Sequence, residues 1–284
     1  SINSFGIRGN EPTSDLKKIL LIGDSFSFGY GVNQDESFVS IVNKDIIENG
    51  YELLNLSVPG YGLNQELVLL GRNLNVFQTK LVLVGVTVSN DSRNDYFFEK
   101  NSSGNFVDSE NCLVNGQNKG LVDGIKTSIY RNSRFARLIN KSLRSIDSTK
   151  INPLMPLTFV REKPYELVEG NKITAGLFSE LREKSKEHGF DVIIMLIPSR
   201  AKVDDEYFNS IIQELSLDSR DYDRESQFSF YKALCIENGF KCIDFSEALE
   251  EKINVEDSRF YHFIVDHHLN IQGHEVLGGE VLKE

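Results

Sequence analysis

Lys18-Ile19-Leu20-Leu21-Ile22-Gly23, followed at once by Asp24-Ser25-Phe26-Ser27-Phe28-Gly29, is the stretch on which the reading of the fold turns. A short apolar run bounded by turn residues reads as a strand buried on both faces, and the small polar residues after it read as the start of a helix. Four further runs have the same character: Tyr51 to Leu56, Leu81 to Val86, Asp191 to Ile197 and Phe240 to Phe245. Helical periodicity lies between them at Glu36 to Asn49, Asn64 to Asn75, Thr174 to His188 and Arg224 to Asn238, with Gly50, Gly189 and Gly239 just beyond three of the ends. A helix closed by glycine and followed by a strand is the rhythm of a doubly wound parallel α/β sheet.

From Tyr96 to Gly170 the rhythm breaks, giving a polar Ser/Asn/Gly segment and then a helical pattern over about Ile125 to Ile146. This pattern has Ile129, Phe135, Ile139 and Leu143 on one side and Arg131, Arg134, Arg137 and Lys141 elsewhere, as a solvated cover helix would. The expectation is one domain over 1–284 carrying an inserted, mostly helical and loop segment at about 96–175.

Composition narrows the function classes. With 31 basic and 42 acidic residues the formal charge is -11, so nucleic acid is not the expected partner, because neutralising phosphates requires a basic face. Three cysteines, Cys112, Cys235 and Cys242, are too few for a disulfide scaffold and lack zinc-site spacing, so they read as buried or free thiols. No run approaches the ~20 apolar residues of a membrane helix. Because the chain begins at Ser1 rather than Met, membrane association is expected only through a removed N-terminal segment, and an extracytoplasmic location is preferred to a cytoplasmic one.

Ser25 stands at the carboxyl end of the first strand, where open α/β sheets bind ligands and where a helix N-terminus and free backbone N–H groups can receive an oxyanion. A Ser or Asp at such a turn also caps the helix. Near the other end of the chain, Val265-Asp266-His267-His268-Leu269-Asn270 leads into a final helix. A serine nucleophile needs a base within hydrogen-bond reach, itself oriented by an acid. His268 and Asp266 suit these roles, since alternate residues of an extended segment share a side and His267 then points away. His267 and His274 read as structural, Asn270 as the cap of the last helix, and no metal is expected because no second ligand cluster is visible.

Four separated blocks resemble the SGNH/GDSL hydrolase superfamily: Gly23-Asp24-Ser25, Gly60 within Asn55 to Tyr61, Asn90-Asp91, and Asp266 with His268. The resemblance implies a three-layer α/β/α sandwich with a flavodoxin-like parallel sheet of about five strands. It also implies a Ser25, His268, Asp266 triad and an oxyanion hole from the backbone N–H groups of Ser25 and Gly60 and the amide of Asn90. Asn3 to Gly9 is similar to a lead-in found in one bacterial subgroup, and Ile197-Pro198-Ser199-Arg200 to a segment of the polysaccharide O-acetyltransferase-like group. Two departures stand out. A single residue separates Asp266 from His268, where many members have two, and Asn94-Asp95 offers a second Asn-Asp pair after Asn90-Asp91.

The implied activity is cleavage of an acyl ester, an O-acetyl group on a carbohydrate being preferred, by a serine esterase without a cofactor. The expected partner is thus a small-molecule or carbohydrate ester. An O-acyltransferase would use the same residues, and a non-catalytic carbohydrate-binding protein could keep the fold. Tyr130, Phe135 and Phe159 of the expected insertion offer apolar or stacking surface, although core packing is the preferred role for any one of them.

Overall fold

Alternation along each strand decides which layer of the molecule a side chain joins. In the computed structural model, residues 1–100, 106–108, 158–255 and 268–284 are described. Their strands are β1 (Lys17–Gly23), β2 (Tyr51–Asn55), β3 (Thr79–Thr87), β4 (Phe98–Lys100), β5 (Phe106–Asp108), β6 (Asp191–Ile197) and β7 (Lys241–Asp244). Five of them form one sheet in the order β2-β1-β3-β6-β7, every neighbouring pair parallel. β4 and β5 form a separate antiparallel pair.

Leu20, Ile22, Val82, Val84, Val86, Ile194 and Leu196 point to one face of the sheet, where Leu67, Leu70, Phe178, Leu181 and Phe228 cover them. Their sequence neighbours Leu21, Leu83, Met195 and Ile197 point to the other, against Phe38, Val42, Phe245, Leu249 and Leu277. The first layer comes from α3 (Leu63–Leu74) and the helices Tyr165–His188 and Ser226–Asn238; the second comes from α2 (Phe38–Ile46) and the helices Ser246–Val255 and Ile271–Leu282. Burying one such aliphatic side chain contributes about 1.5–3 kcal/mol, so both apolar faces must be covered and the three-layer sandwich follows. The expected fold class is the observed one. Gly50, Gly189 and Gly239 close their helices at φ of +83°, +68° and +71°, the left-handed conformation that glycine adopts without a Cβ clash.

The long helix begins at Tyr165, nine residues before the expected Thr174. Two glycines, Gly170 and Gly176, weaken its helical signature. Gly170 has a packing role: a Cβ there would lie 1.9 Å from the carbonyl oxygen of Ser92, so the helix crosses that backbone too closely for any side chain. The expected Ile125–Ile146 helix, Cys112, Tyr130 and Phe135 lie outside the described residues, as does most of the 96–175 insertion. Phe159 is fully buried in a small core with Ala201, Tyr207, Phe208 and Tyr222. Cys235 and Cys242 are free thiols.

The chain leaves β1 toward β2 on one side and reaches β3 on the other, so the connections diverge at the carboxyl ends of β1 and β3. This is the switch point at which doubly wound sheets open a crevice. Ser25 follows β1 and Asn90 follows β3.

Candidate active site

The turn after β1 is built to hold a short helix at a close approach. Asp24 is fully buried and caps α1 (Ser25–Phe28), its Oδ1 accepting the Phe26 N–H at 2.9 Å. The capping residue is therefore Asp24, and Ser25 opens the helix with its hydroxyl left over. Beneath it, Ser27 fills a space that exists because two glycines flank it: a Cβ on Gly23 or Gly85 would lie 2.4 Å or 1.8 Å from the Ser27 Oγ. Gly85 in the middle of a buried strand thus marks a close approach. Arg8 fixes the far side of the turn by donating to the carbonyls of Phe28, Gly29 and Val32 at 2.7, 2.5 and 2.7 Å, with its guanidinium over the Phe28 ring. Asn55 Nδ2 donates to the Ser27 carbonyl at 3.0 Å. The lead-in containing Arg8 and the end of β2 therefore hold the serine turn from two sides.

His268 arrives from 243 residues further along the chain, and its Nε2 lies 2.8 Å from Ser25 Oγ. It is carried by the segment entering the last helix, where Asn270 caps as expected, its Oδ1 accepting the Gly273 N–H at 3.1 Å. His274, one turn into that helix, is 1 % exposed. Its Nδ1 accepts the N–H of Phe38 at the start of α2 (3.4 Å), and its ring stacks on that of Phe38. Burial, with smaller contributions from the charges of Arg8 and His268, lowers its pKa to about 4, so at neutral pH it is an uncharged structural acceptor. Asp266 and His267 lie outside the described residues.

The third block meets the first through Asp24. Its Oδ1 also accepts from the Thr87 hydroxyl at 2.9 Å, and its Oδ2 accepts from Asn90 Nδ2 at 3.1 Å. Asn94 turns elsewhere, its amide donating to the Tyr61 carbonyl at 3.4 Å. Of the two asparagines, Asn90 is the one joined to the serine turn. Gly60 sits in the turn after β2 with φ +83° and nothing within 4 Å of a notional Cβ, which leaves that side of its backbone open. In the Ile197 to Arg200 segment, Arg200 is occupied by Asp204 at 2.9 Å and lies over the Tyr207 ring.

The sequence reading gave Asp24 only the part of a helix cap and assigned no role to Thr87 or Arg8. The further bonds of Asp24 to Thr87 and Asn90 had no signal in the sequence, and Thr87 lies just past the expected Leu81 to Val86 strand.

Behind Asn90 lies a group of buried carboxyls: Asp24, Glu66, Asp91 and Asp95. Burial raises the Asp24 pKa against the opposing pull of its three hydrogen bonds and the charge of His268. It raises Glu66 and Asp91 well above the usual range, mutual repulsion adding to the effect. Asp95 is pushed up to about 7 by burial, which outweighs hydrogen bonds from Thr174 and from the Asn64 and Leu63 backbone.

A carboxyl whose pKa is raised on folding adds stability that is fully present below its unfolded pKa and is lost as pH rises toward the folded one. For Asp95 the window runs from about pH 4 to about 7, with a slope of about 1.4 kcal/mol per pH unit. Asp95→Asn mimics the protonated acid. Urea unfolding is expected to show the variant gaining on the wild type by at least about 1 kcal/mol between pH 5 and pH 8; a pH-independent difference would contradict the assignment. His274 acts in the opposite sense between about pH 6.5 and 4, but its contribution cancels in this comparison.

Among the described residues no group of three or more His, Cys, Asp or Glu side chains could hold a metal ion, and no helix is long and apolar enough to cross a membrane. No protein-family model matches the sequence, and no curated protein does. Solved structures match over most of the chain. An acetyl xylan esterase, AlAXEase, superimposes with a TM-score of 0.50 at 14% identity, over 94% of this chain and 98% of that one. An α/β hydrolase enzyme, LAE5, from the metagenome of Lake Arreo, Spain, gives 0.50 at 11% identity, over 94% of each chain. At such low identity the likeness is one of fold: this chain shares the α/β architecture of these two enzymes, a parallel sheet between helical layers.

Proposed function

We propose that this chain is a serine ester hydrolase with Ser25 as nucleophile and His268 as general base. The observation that carries the reading is the 2.8 Å contact between Ser25 Oγ and His268 Nε2 at the carboxyl edge of the parallel sheet. Serine is a weak nucleophile at neutral pH, and a base at this distance can take its proton as the Oγ attacks a carbonyl. Asp266 stabilises the resulting imidazolium. The oxyanion of the tetrahedral intermediate is received by the N–H groups of Ser25 and Gly60 and by the Asn90 amide, the last aimed by the buried Asp24 carboxyl. His268 then returns the proton to the leaving alcohol, and water resolves the acyl-enzyme by the same route in reverse.

The preferred substrate is an acetyl ester on a carbohydrate, in keeping with the activity for which AlAXEase is named. Hydrolysis is preferred to transfer because water at ~55 M competes with any acceptor that is not held in place. The test is to supply acetylated oligosaccharides and long-chain acyl esters with and without acceptor sugars, and to separate free acid from acylated sugar by mass spectrometry. Free acetate as the main product supports the reading. Predominant acetyl-sugar product would make the chain a transferase, and activity confined to long-chain lipid esters would remove the carbohydrate assignment.

Asn90→Ala is expected to lower kcat by about 10²- to 10³-fold with little change in KM, because the donor acts on charge that develops only in the transition state. Asn94→Ala should stay close to wild type. If the two defects are exchanged in steady-state kinetics, Asn94 supplies the amide.

A further inference from the structure

His268 is flanked by two aromatic rings that the proton-transfer scheme does not use. The Phe26 ring centroid lies 4.8 Å from that of the imidazole at an interplanar angle of 39°, and that of Tyr30 lies 4.9 Å away at 43°. The two differ in setting. Phe26 is 8 % exposed and belongs to the core, whereas Tyr30 is 49 % exposed. Both belong to the serine turn. Phe26 follows Ser25 directly, and the Tyr30 N–H donates to the Ser25 carbonyl at 3.0 Å. Arg8, through its bonds to the Phe28, Gly29 and Val32 carbonyls, fixes the backbone on either side of Tyr30. The nucleophile and both aromatic neighbours of its base are therefore parts of one clamped piece of chain.

A cation within about 6 Å of an aromatic centroid is attracted by the ring's quadrupole, whereas a neutral imidazole gains much less from the same contact. In the catalytic step the imidazole becomes a cation as the Ser25 proton passes from Oγ to Nε2, when the O–H bond breaks and the N–H bond forms. An interaction of this kind is stronger in the transition state than in the resting enzyme, which is the condition for raising kcat. We infer that Tyr30, with Phe26 behind it, is a positioning residue that holds the His268 ring toward Ser25 and favours the imidazolium formed there. The inference rests on the serine-esterase reading. Among the described residues, Asp24 and His274 also act electrostatically on this imidazole, and both are left untouched by changes at Tyr30.

The test compares Tyr30→Phe with Tyr30→Leu, which keeps apolar bulk but has no aromatic face, using a short aryl acetate as substrate. Tyr30→Met replaces the leucine variant if that one misfolds. The phenylalanine variant should remain within about twofold of wild type. The leucine variant should lose about three- to tenfold in kcat with KM nearly unchanged, and the acidic limb of its kcat/KM profile should move about half a pH unit lower. Equal kinetics and equal pH profiles for the leucine variant and wild type would overturn the inference, as would a phenylalanine variant as impaired as the leucine one. A wild-type protein whose turnover is unaffected by Ser25→Ala would instead remove the esterase reading, whatever Tyr30 does.

Discussion

Ser25→Ala is expected to lower kcat for ester cleavage by about 10⁴-fold or more, the range seen when a nucleophile that acts as one unit with its base is removed. The variant should fold normally. The helix cap at this turn is the Asp24 carboxylate, and the turn is otherwise held by Arg8 and Asn55 through main-chain carbonyls. Only the contact with His268 Nε2 involves the Ser25 hydroxyl among the described hydrogen bonds. Steady-state kinetics together with a thermal melt checks both halves, since a variant that keeps its melting temperature and loses turnover locates the loss in the chemistry. Retained turnover would place the nucleophile elsewhere.

His268→Ala should bring a comparable fall, again about 10⁴-fold, because without the base the hydroxyl keeps its proton. Combining it with Ser25→Ala should cost nothing further, since residues acting as one unit do not add. His274→Ala should behave differently. It removes the acceptor for the Phe38 N–H and a ring stacked in the core, so it should lower stability by about 1–3 kcal/mol and reduce turnover only as far as the protein unfolds. His267→Ala should retain activity. Full loss in the His267 variant and retained turnover in the His268 variant would reverse the assignment of the base.

The sheet was legible because burial on both faces leaves an unbroken apolar run bounded by glycine or by polar turns. The expected ends of β1, β2, β6 and β7 lie within one residue of the observed ones, and those of β3 within two. Ser25, His268 and Asn270 were legible for another reason: their chemistry and order in the chain restrict what they can do. Several helices were not expected, among them Asp205–Glu214, Ser246–Val255 and Asp91–Phe97, and the long Tyr165–His188 helix was expected only from Thr174. Asp91–Phe97 opens with Asp, Ser, Arg, Asn and Asp, a polar run that suggests a loop. It is helical because Asp91 accepts the Thr87 N–H at 2.8 Å, while Ser92 and Asp95 are buried against the Tyr165–His188 helix and its neighbours, bonding to Tyr231 and Thr174. The first two turns of Tyr165–His188 were hidden by the glycine that lets it cross the Ser92 backbone. In both cases tertiary contact overrode local propensity, and a single sequence records no such contact. The aromatic neighbours of His268 were hidden for the same reason, because Phe26 and Tyr30 flank the imidazole only once the two ends of the chain have met.

Covalent labelling tests the central claim most directly, because it reports the activated hydroxyl without requiring knowledge of the substrate. Incubation with a fluorophosphonate, followed by intact mass and peptide mapping, should give one adduct on Ser25 in the wild-type protein, none in Ser25→Ala, and markedly slower labelling in His268→Ala. A folded wild-type sample that gains no mass from a probe that labels a known serine hydrolase alongside it, or an adduct mapped to another residue, would contradict the account.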